Sequence, residues 1–136
     1  VVVAQTFVSM PFLVITVEAA LRLLDPRLEE ASRTLGASRW YTFRRVTLPA
    51  IRPALVAGAV LAWARALGEF GATITFAGNF PGTTQTMPLA VYLSLETNPE
   101  EAIVLALVMI AISFGVLVGL RDRWFGSVDG PVQVAP

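Results

Sequence analysis

The chain has 136 residues, is 55% hydrophobic and only 15% charged, and has a formal net charge of zero, whereas a typical soluble domain has about 25% charged residues. It contains no cysteine and no histidine, which excludes disulfide bonds, thiolate nucleophiles, Ser-His-Asp triads and the usual zinc sites. All ten basic residues are arginine, so a lysine-dependent phosphate-binding loop cannot form and nucleotide chemistry is expected only from a partner. This composition makes enzymatic function hard to build, and we expect a membrane protein with no nucleic-acid partner.

The first predicted element, residues 1–24, is an apolar helix. Its length suffices to cross a hydrocarbon core of about 30 Å at about 1.5 Å per residue. Glu18 and Arg22 lie four positions apart near its end, a spacing that predicts a solvated ion pair where the helix leaves the membrane. The chain opens inside this apolar run without a basic leader, so we interpret it as the C-terminal portion of a longer protein.

A polar insert follows at residues 25–49. Asp25 and Pro26 predict a helix start, Gly36 predicts a left-handed turn that ends this helix, and Ser38 can cap a second short helix. Pro49 is expected to interrupt that second helix. The pattern predicts helix, glycine turn and helix, which suits either a docking element for a partner or a pair of amphipathic interfacial anchors.

The next predicted span begins at Pro53 and continues to residue 71. It is apolar apart from Arg65 and Glu69, which are four residues apart and are expected on one helical face. Charges inside a spanning helix cost about 2.5–3.5 kcal/mol each on insertion scales, so they usually pair and face a cavity or the bundle interior. Three interpretations stay open: an ion pair that joins helices, an ion pair near the outer interface of the membrane, or a translocation pathway that also includes Thr73 and Thr75.

Residues 72–98 predict an irregular segment on the outer side. Residues 73–76 are β-prone and residues 78–82 are rich in turn formers, while Pro88 opens a short amphipathic stretch that ends near residue 95. The neutral threonines 83, 84 and 86 could contact a substrate or a delivering protein, or could form a solvated loop.

The last predicted helix opens at Asn98 and Pro99, and residues 102–120 form an uncharged span. Residues 126–136 are predicted to be a disordered tail. We therefore expect an all-α integral membrane protein, with about three spanning helices in residues 1–125 and a short cytoplasmic helix pair within residues 25–49.

The distribution of arginine along the chain predicts how the chain is oriented in the membrane. Residues 25–52 hold six arginines, residues 72–101 hold no basic residue, and two arginines follow the last span. The positive-inside rule then places the first loop and the C-terminus in the cytoplasm and the threonine-rich segment outside.

The spacing of the first loop resembles the EAA loop of bacterial ABC-importer permeases. Glu30, Ala31 and Ser32 are followed after three residues by Gly36 and after nine more by the sequence Val-Thr-Leu-Pro, which ends at Pro49. The family pattern has a second alanine where Ser32 stands and isoleucine where the valine stands, and both are mild departures. In that family the loop is the coupling helix that sits in a groove of the ATPase subunit.

This resemblance implies the partners and the coupling residues. It implies an ABC ATPase subunit that carries ATP and Mg on its own chain, a second copy of the permease, an extracytoplasmic oxyanion-binding protein and a place in the bacterial inner membrane. The residues implied in coupling are Glu29, Glu30, Ala31, Ser32, Gly36, Ala37, Leu48 and Pro49.

The segments GEFGAT at residues 68–73 and AGNFPGTTQTMPLAVY at residues 77–92 resemble the molybdate permease branch. Sulfate permeases are similar here, so sulfate and tungstate stay open as substrates. A membrane structural protein with a lipid-binding basic loop is the competing class, but such a loop needs charge and no particular residue order. The third interpretation, an intramembrane enzyme, is the least favoured because histidine, cysteine and lysine are missing.

Overall fold

The computed structural model describes residues 1–125, with side chains described to residue 120, so the predicted disordered tail lies outside the described residues. All regular elements within this part are helical, which confirms the all-α expectation. The chain divides after Thr84 into two compact units. Within the described residues, three helical stretches are long and apolar enough to cross a membrane, at Val2–Leu23, Arg39–Leu67 and Pro99–Leu120.

The first unit is built on two long helices, α1 (Val2–Leu23) and α4 (Leu48–Leu67), which pack against each other. Gly58 allows this close approach, because a β-carbon there would lie 3.0 Å from Leu13 Cδ1 and 3.2 Å from Thr16 Cβ. The Gln5 side-chain amide also donates to the carbonyl of Ala66 at 3.3 Å.

Three short elements connect α1 to α4: α2 (Pro26–Thr34), α3 (Arg39–Thr42) and a π-helical turn (Phe43–Thr47). The expected interruption at Pro49 is wrong, and so is the expected helix start at Pro53. Helix α4 begins at Leu48, whose N–H donates to Phe43 O across the π-helical turn, and both prolines lie inside it. The wider turn relieves the clash that the Pro49 ring would make with the preceding carbonyls, so the helix continues through the proline.

Helix α5 (Gly71–Ala77) replaces the irregular, β-prone segment expected at residues 73–76. The Glu69 carboxylate accepts the N–H of Ala72 at 2.7 Å. This cap supports a helix of seven residues, about two turns, despite the low helix propensity of threonine and isoleucine. The predicted turn is confirmed by positive φ values at Gly78 (77°) and Gly82 (73°).

The second unit consists of α6 (Met87–Thr97) and α7 (Pro99–Phe125), which pack against each other. Leu89 and Ala102 are buried in this unit. The expected opening of the last helix is confirmed, since α7 begins at Pro99 and Asn98 Oδ1 accepts the Glu101 N–H at 3.4 Å. Large apolar side chains of α7 stay exposed, which is typical of a helix that faces lipid or other helices. They include Ile103, Leu107, Ile110, Phe114 and Leu117.

Candidate functional site

The first arm of the loop is a well-capped helix. Asp25 Oδ1 accepts the Arg27 N–H at 2.9 Å, and Pro26 occupies the first turn, as the sequence predicts. At the other end the Gly36 N–H donates to Arg33 O at 2.9 Å and the Ala37 N–H donates to Ser32 O at 3.2 Å. These two bonds form a Schellman motif, which needs the left-handed conformation that Gly36 adopts at φ 81°.

The second arm begins where it was predicted. Ser38 Oγ accepts the Tyr41 N–H at 3.3 Å and starts α3. Trp40 and Phe43 stack with ring centroids 5.8 Å apart, and the Arg44 guanidinium lies 5.9 Å from the Trp40 ring. Both rings remain substantially exposed.

Two side-chain hydrogen bonds tie the arms together. The Thr47 hydroxyl donates to Glu29 Oε1 at 2.6 Å, and the Ser32 and Thr42 hydroxyls lie 3.0 Å apart. Thr42 and Thr47 are only 3% and 4% exposed. Sequence reasoning missed both threonines, and the one available signal was their hydroxyl groups among arginine and aromatic neighbours.

A shallow groove of about 450 Å³ opens at the glycine turn. It is lined by Ser32, Leu35, Gly36, Ala37, Ser38 and Tyr41. Leu35 is 88% exposed, so the groove carries an apolar side chain toward the outside. A concave surface with an exposed leucine at its edge suits a protein partner better than a small polar ligand.

The predicted coupling residues divide into three groups. Ser32, Gly36 and Ala37 line the groove. Glu30 and Ala31 are exposed on α2, whereas Glu29 is half-buried against Thr47. Leu48 and Pro49 lie at the start of α4 and do not line the groove, so the structure does not bring all eight residues to one surface.

A second charged site lies at the corner between α4 and α5. Arg65 Nη1 lies 2.6 Å from Glu69 Oε2, which confirms that the two residues pair. The expectation that they share one face of a spanning helix is wrong, because α4 ends at Leu67 with Gly68 as its C-cap. Arg65 is in the last turn, where the helix dipole favours a cation, and Glu69 caps α5.

The corner is asymmetric in its burial. The Glu69 side chain is 4% exposed, whereas the Arg65 side chain is 40% exposed. Thr73 is fully buried, and its hydroxyl has no hydrogen-bond partner within the described part of the chain. Thr75 is exposed and its hydroxyl donates to Gly71 O at 2.8 Å, so the two predicted pathway threonines have different environments.

The sequence of this chain is similar to those of known transport proteins over most of its length. Residues 1–127 match the family model of the binding-protein-dependent transport system inner membrane component. The chain is 48% identical over 123 residues to the molybdenum transport system permease protein ModB of Mycobacterium tuberculosis, which covers 90% of this chain and 47% of that protein. It is 42% identical over 128 residues to ModB of Escherichia coli K12, covering 94% of this chain and 56% of that protein.

A sulfate relative is almost as similar. The sulfate transport system permease protein CysT of Escherichia coli K12 is 44% identical over 120 residues, covering 88% of this chain and 43% of that protein. The chain therefore spans about half the length of the curated relatives it matches. The match over residues 1–127 and the apolar helices lead to one conclusion: the chain belongs to the inner membrane component family of binding-protein-dependent transport systems, the membrane permeases.

Proposed function

We propose that this chain is part of the permease subunit of an ATP-driven oxyanion importer, with molybdate as its substrate, and that it couples to a separate ATPase through residues 25–49. The observation that carries the proposal is the conformation of that loop. Its two capped arms, left-handed Gly36 and exposed groove provide a shaped surface next to a spanning helix. The ATPase, which binds ATP and Mg, is a separate chain.

Within the loop, the glycine turn and the shallow groove beside it form the surface that docks in a groove of the ATPase subunit. Glu30 is exposed beside it and is free to contact a basic group of the partner. Leu48 and Pro49 have a different role, since they continue the loop into α4. The second arm, α3, runs into the spanning helix without a break, whereas α2 is connected along the backbone to the second arm only through the glycine turn.

The corner of Arg65 and Glu69 is the proposed translocation contact. Arg65 is a partly exposed cation near the end of a spanning helix, which a tetrahedral dianion would approach. Glu69 restrains it, because a free cation in a low-dielectric pathway would hold the anion too tightly for release. The Thr73 hydroxyl lies on the adjoining helix, fully buried and unbonded within the described residues, so this corner would have to open before Thr73 could serve as a neutral donor to the anion. Thr75, exposed and bonded within α5, has the weakest support.

The proposed setting is the bacterial inner membrane, with the arginine-rich loop and the C-terminus cytoplasmic and residues 78–86 outside. The exposed apolar side chains of α7 suit lipid or a second permease copy. An extracytoplasmic binding protein would deliver the anion to the outer side and provide most of the selectivity.

Transport competition tests the proposal. The full-length permease, its ATPase and its binding protein are reconstituted in vesicles, and uptake of radiolabelled molybdate is measured against unlabelled molybdate, tungstate and sulfate. We expect ATP-dependent uptake that molybdate and tungstate suppress at lower concentration than sulfate. Preferential suppression by sulfate would reassign the substrate to the sulfate branch. ATP-independent or absent uptake would contradict the proposal and favour the structural protein with a lipid-binding loop.

A further inference from the structure

The bond between Glu29 and Thr47 joins α2 to the residue that directly precedes α4. The two atoms lie 2.6 Å apart although the residues are 18 positions apart in the chain. A hydroxyl that donates to a carboxylate at this distance makes a charge-assisted hydrogen bond, which is stronger than a neutral one. Thr47 is 4% exposed, so little water competes for its hydroxyl.

Thr47 lies at the junction between the loop and the spanning helix. It ends the π-helical turn and directly precedes Leu48, the first residue of α4. From Arg39 to Leu67 the chain is helical without a break. A force applied to Thr47 therefore acts on the base of a spanning helix, whereas α2 itself is joined to its neighbours by bends at residues 24–25 and 35–37.

We infer that Glu29 is a positioning residue for coupling: it holds α2 to the base of α4, so that movement of the docked helix moves the spanning helix. This inference depends on the proposed function, because it assumes that the ATPase docks at the glycine turn. Glu29 and Glu30 then have different roles although they are adjacent. Glu29 is half-buried and bonded within the chain, and Glu30 is exposed to the partner.

The bond of Ser32 to Thr42 supports this division. It holds α2 to α3 nearer the glycine turn, so it keeps the two arms of the groove together. The Glu29 bond lies on the other side of the π-helical turn, at the entrance to α4. Loss of the Glu29 bond alone should leave the groove formed and able to dock the ATPase, while α2, held to the second arm by the Ser32–Thr42 bond, becomes free to tilt relative to α4.

Substitution of Thr47 tests the inference in the full-length complex. Thr47→Val keeps the β-branched shape and removes the hydroxyl, and Thr47→Ser keeps the hydroxyl. Thr97→Val is a matched control outside the loop, because the Thr97 hydroxyl is exposed and donates to Leu93 O within α6. We expect normal assembly for all three. The number of oxyanions taken up per ATP hydrolysed should fall about fivefold or more in Thr47→Val only. A fivefold change is at the lower end of the range that corresponds to typical coupling free energies between sites.

Two results would overturn the inference. One is wild-type uptake per ATP in Thr47→Val. The other is loss of ATPase co-purification in Thr47→Val but not in Thr47→Ser, since the bond would then serve folding of the loop alone.

A distance measurement separates this inference from the proposed function. The exposed residues Leu28 on α2 and Arg52 on α4 are replaced by cysteine and spin-labelled. Double electron–electron resonance then measures the distance between the two labels, which reports the spacing of α2 and α4. The wild-type distance distribution should stay narrow with and without nucleotide, and Thr47→Val should broaden it. A wild-type complex that takes up no oxyanion contradicts the proposed function, whereas an unchanged distribution in Thr47→Val contradicts the bond as a link between these helices.

Discussion

Arg65 and Glu69 form an ion pair between a residue inside α4 and a residue beyond its C-terminal end, with Arg65 Nη1 2.6 Å from Glu69 Oε2. Arg65 lies in the last turn of α4, and Glu69 follows Gly68, the C-cap residue. The same carboxylate accepts the Ala72 N–H at 2.7 Å. Glu69 thus fixes the guanidinium with one oxygen and starts α5 with the other, so the two helices meet at a single buried carboxylate.

The first prediction separates the two roles of this corner. Arg65→Gln removes the cation from a 40% exposed position, so we expect the complex to assemble and lose oxyanion uptake. Glu69→Gln keeps an amide oxygen for Ala72 but frees Arg65, so substrate should be retained or bound too tightly. Complex yield and radiolabelled molybdate uptake are measured for both variants and for the double variant.

The control for this prediction is Arg22→Gln. Arg22 pairs with Glu18 at 2.7 Å with the same four-residue spacing, but both side chains are more than half exposed, so the effect should be small. Poor assembly of both single variants with recovery in the double variant would show that the pair only joins helices. Breaking a buried pair leaves a charge without its partner, which explains why such recovery would occur.

The second prediction concerns the glycine turn. Gly36 has φ 81°, where a β-branched residue is strained by about 1–2 kcal/mol. Gly36→Val should therefore distort the Schellman turn and the groove, and substrate-stimulated ATP hydrolysis should largely disappear while the permease still accumulates. Gly36→Asn is the control, because asparagine tolerates left-handed dihedrals. Apart from the two neighbouring residues in the chain, no residue has an atom within 4 Å of a β-carbon at Gly36, so the cause is backbone strain and not contact with another part of the fold. Near-normal uptake by the valine variant would contradict the docking role of this turn.

Much of the fold could be predicted because its signals are local. The caps at Asp25 and Ser38 and the glycine turn depend on residues within a few positions, and the three spans depend on apolar length. The exact helix boundaries could not be predicted, because the π-helical turn accommodates Pro49 and the Glu69 side chain caps α5.

The candidate site could be predicted only in part for the same reason. The motif spacing led to the residues of the groove, Ser32, Gly36 and Ala37. It gave no indication that Glu29 bonds to Thr47, because nothing in a linear sequence pairs residues 18 positions apart in an irregular loop. The ion pair at Arg65 was predicted from a helical spacing that the structure does not keep through residue 69.

The third prediction concerns the orientation of the chain. A cysteine at Thr83, which is exposed in the threonine-rich segment, should react with a membrane-impermeant thiol reagent from outside intact cells. A cysteine at Arg39, exposed in the second arm of the loop, should react only after the cells are opened. This chain contains no cysteine, so the full-length background needs thiols removed only from the remaining part. The reverse labelling pattern would contradict the orientation predicted from arginine.

The last prediction concerns packing of α1 on α4. A β-carbon at Gly58 would lie 3.0 Å from Leu13 Cδ1 and 3.3 Å from Leu13 Cα, and the backbone atom cannot move without shifting α1. Gly58→Ala should therefore push the two helices apart and lower the free energy of unfolding by about 1–3 kcal/mol, the usual cost of overpacking. Gly115→Ala is the matched control: it is also in a spanning helix, has nothing within 4 Å of its β-carbon and should gain helix propensity. Thermal unfolding of both variants in the same detergent provides the comparison. Equal stability of the two variants would mean that α1 and α4 do not depend on contact at Gly58.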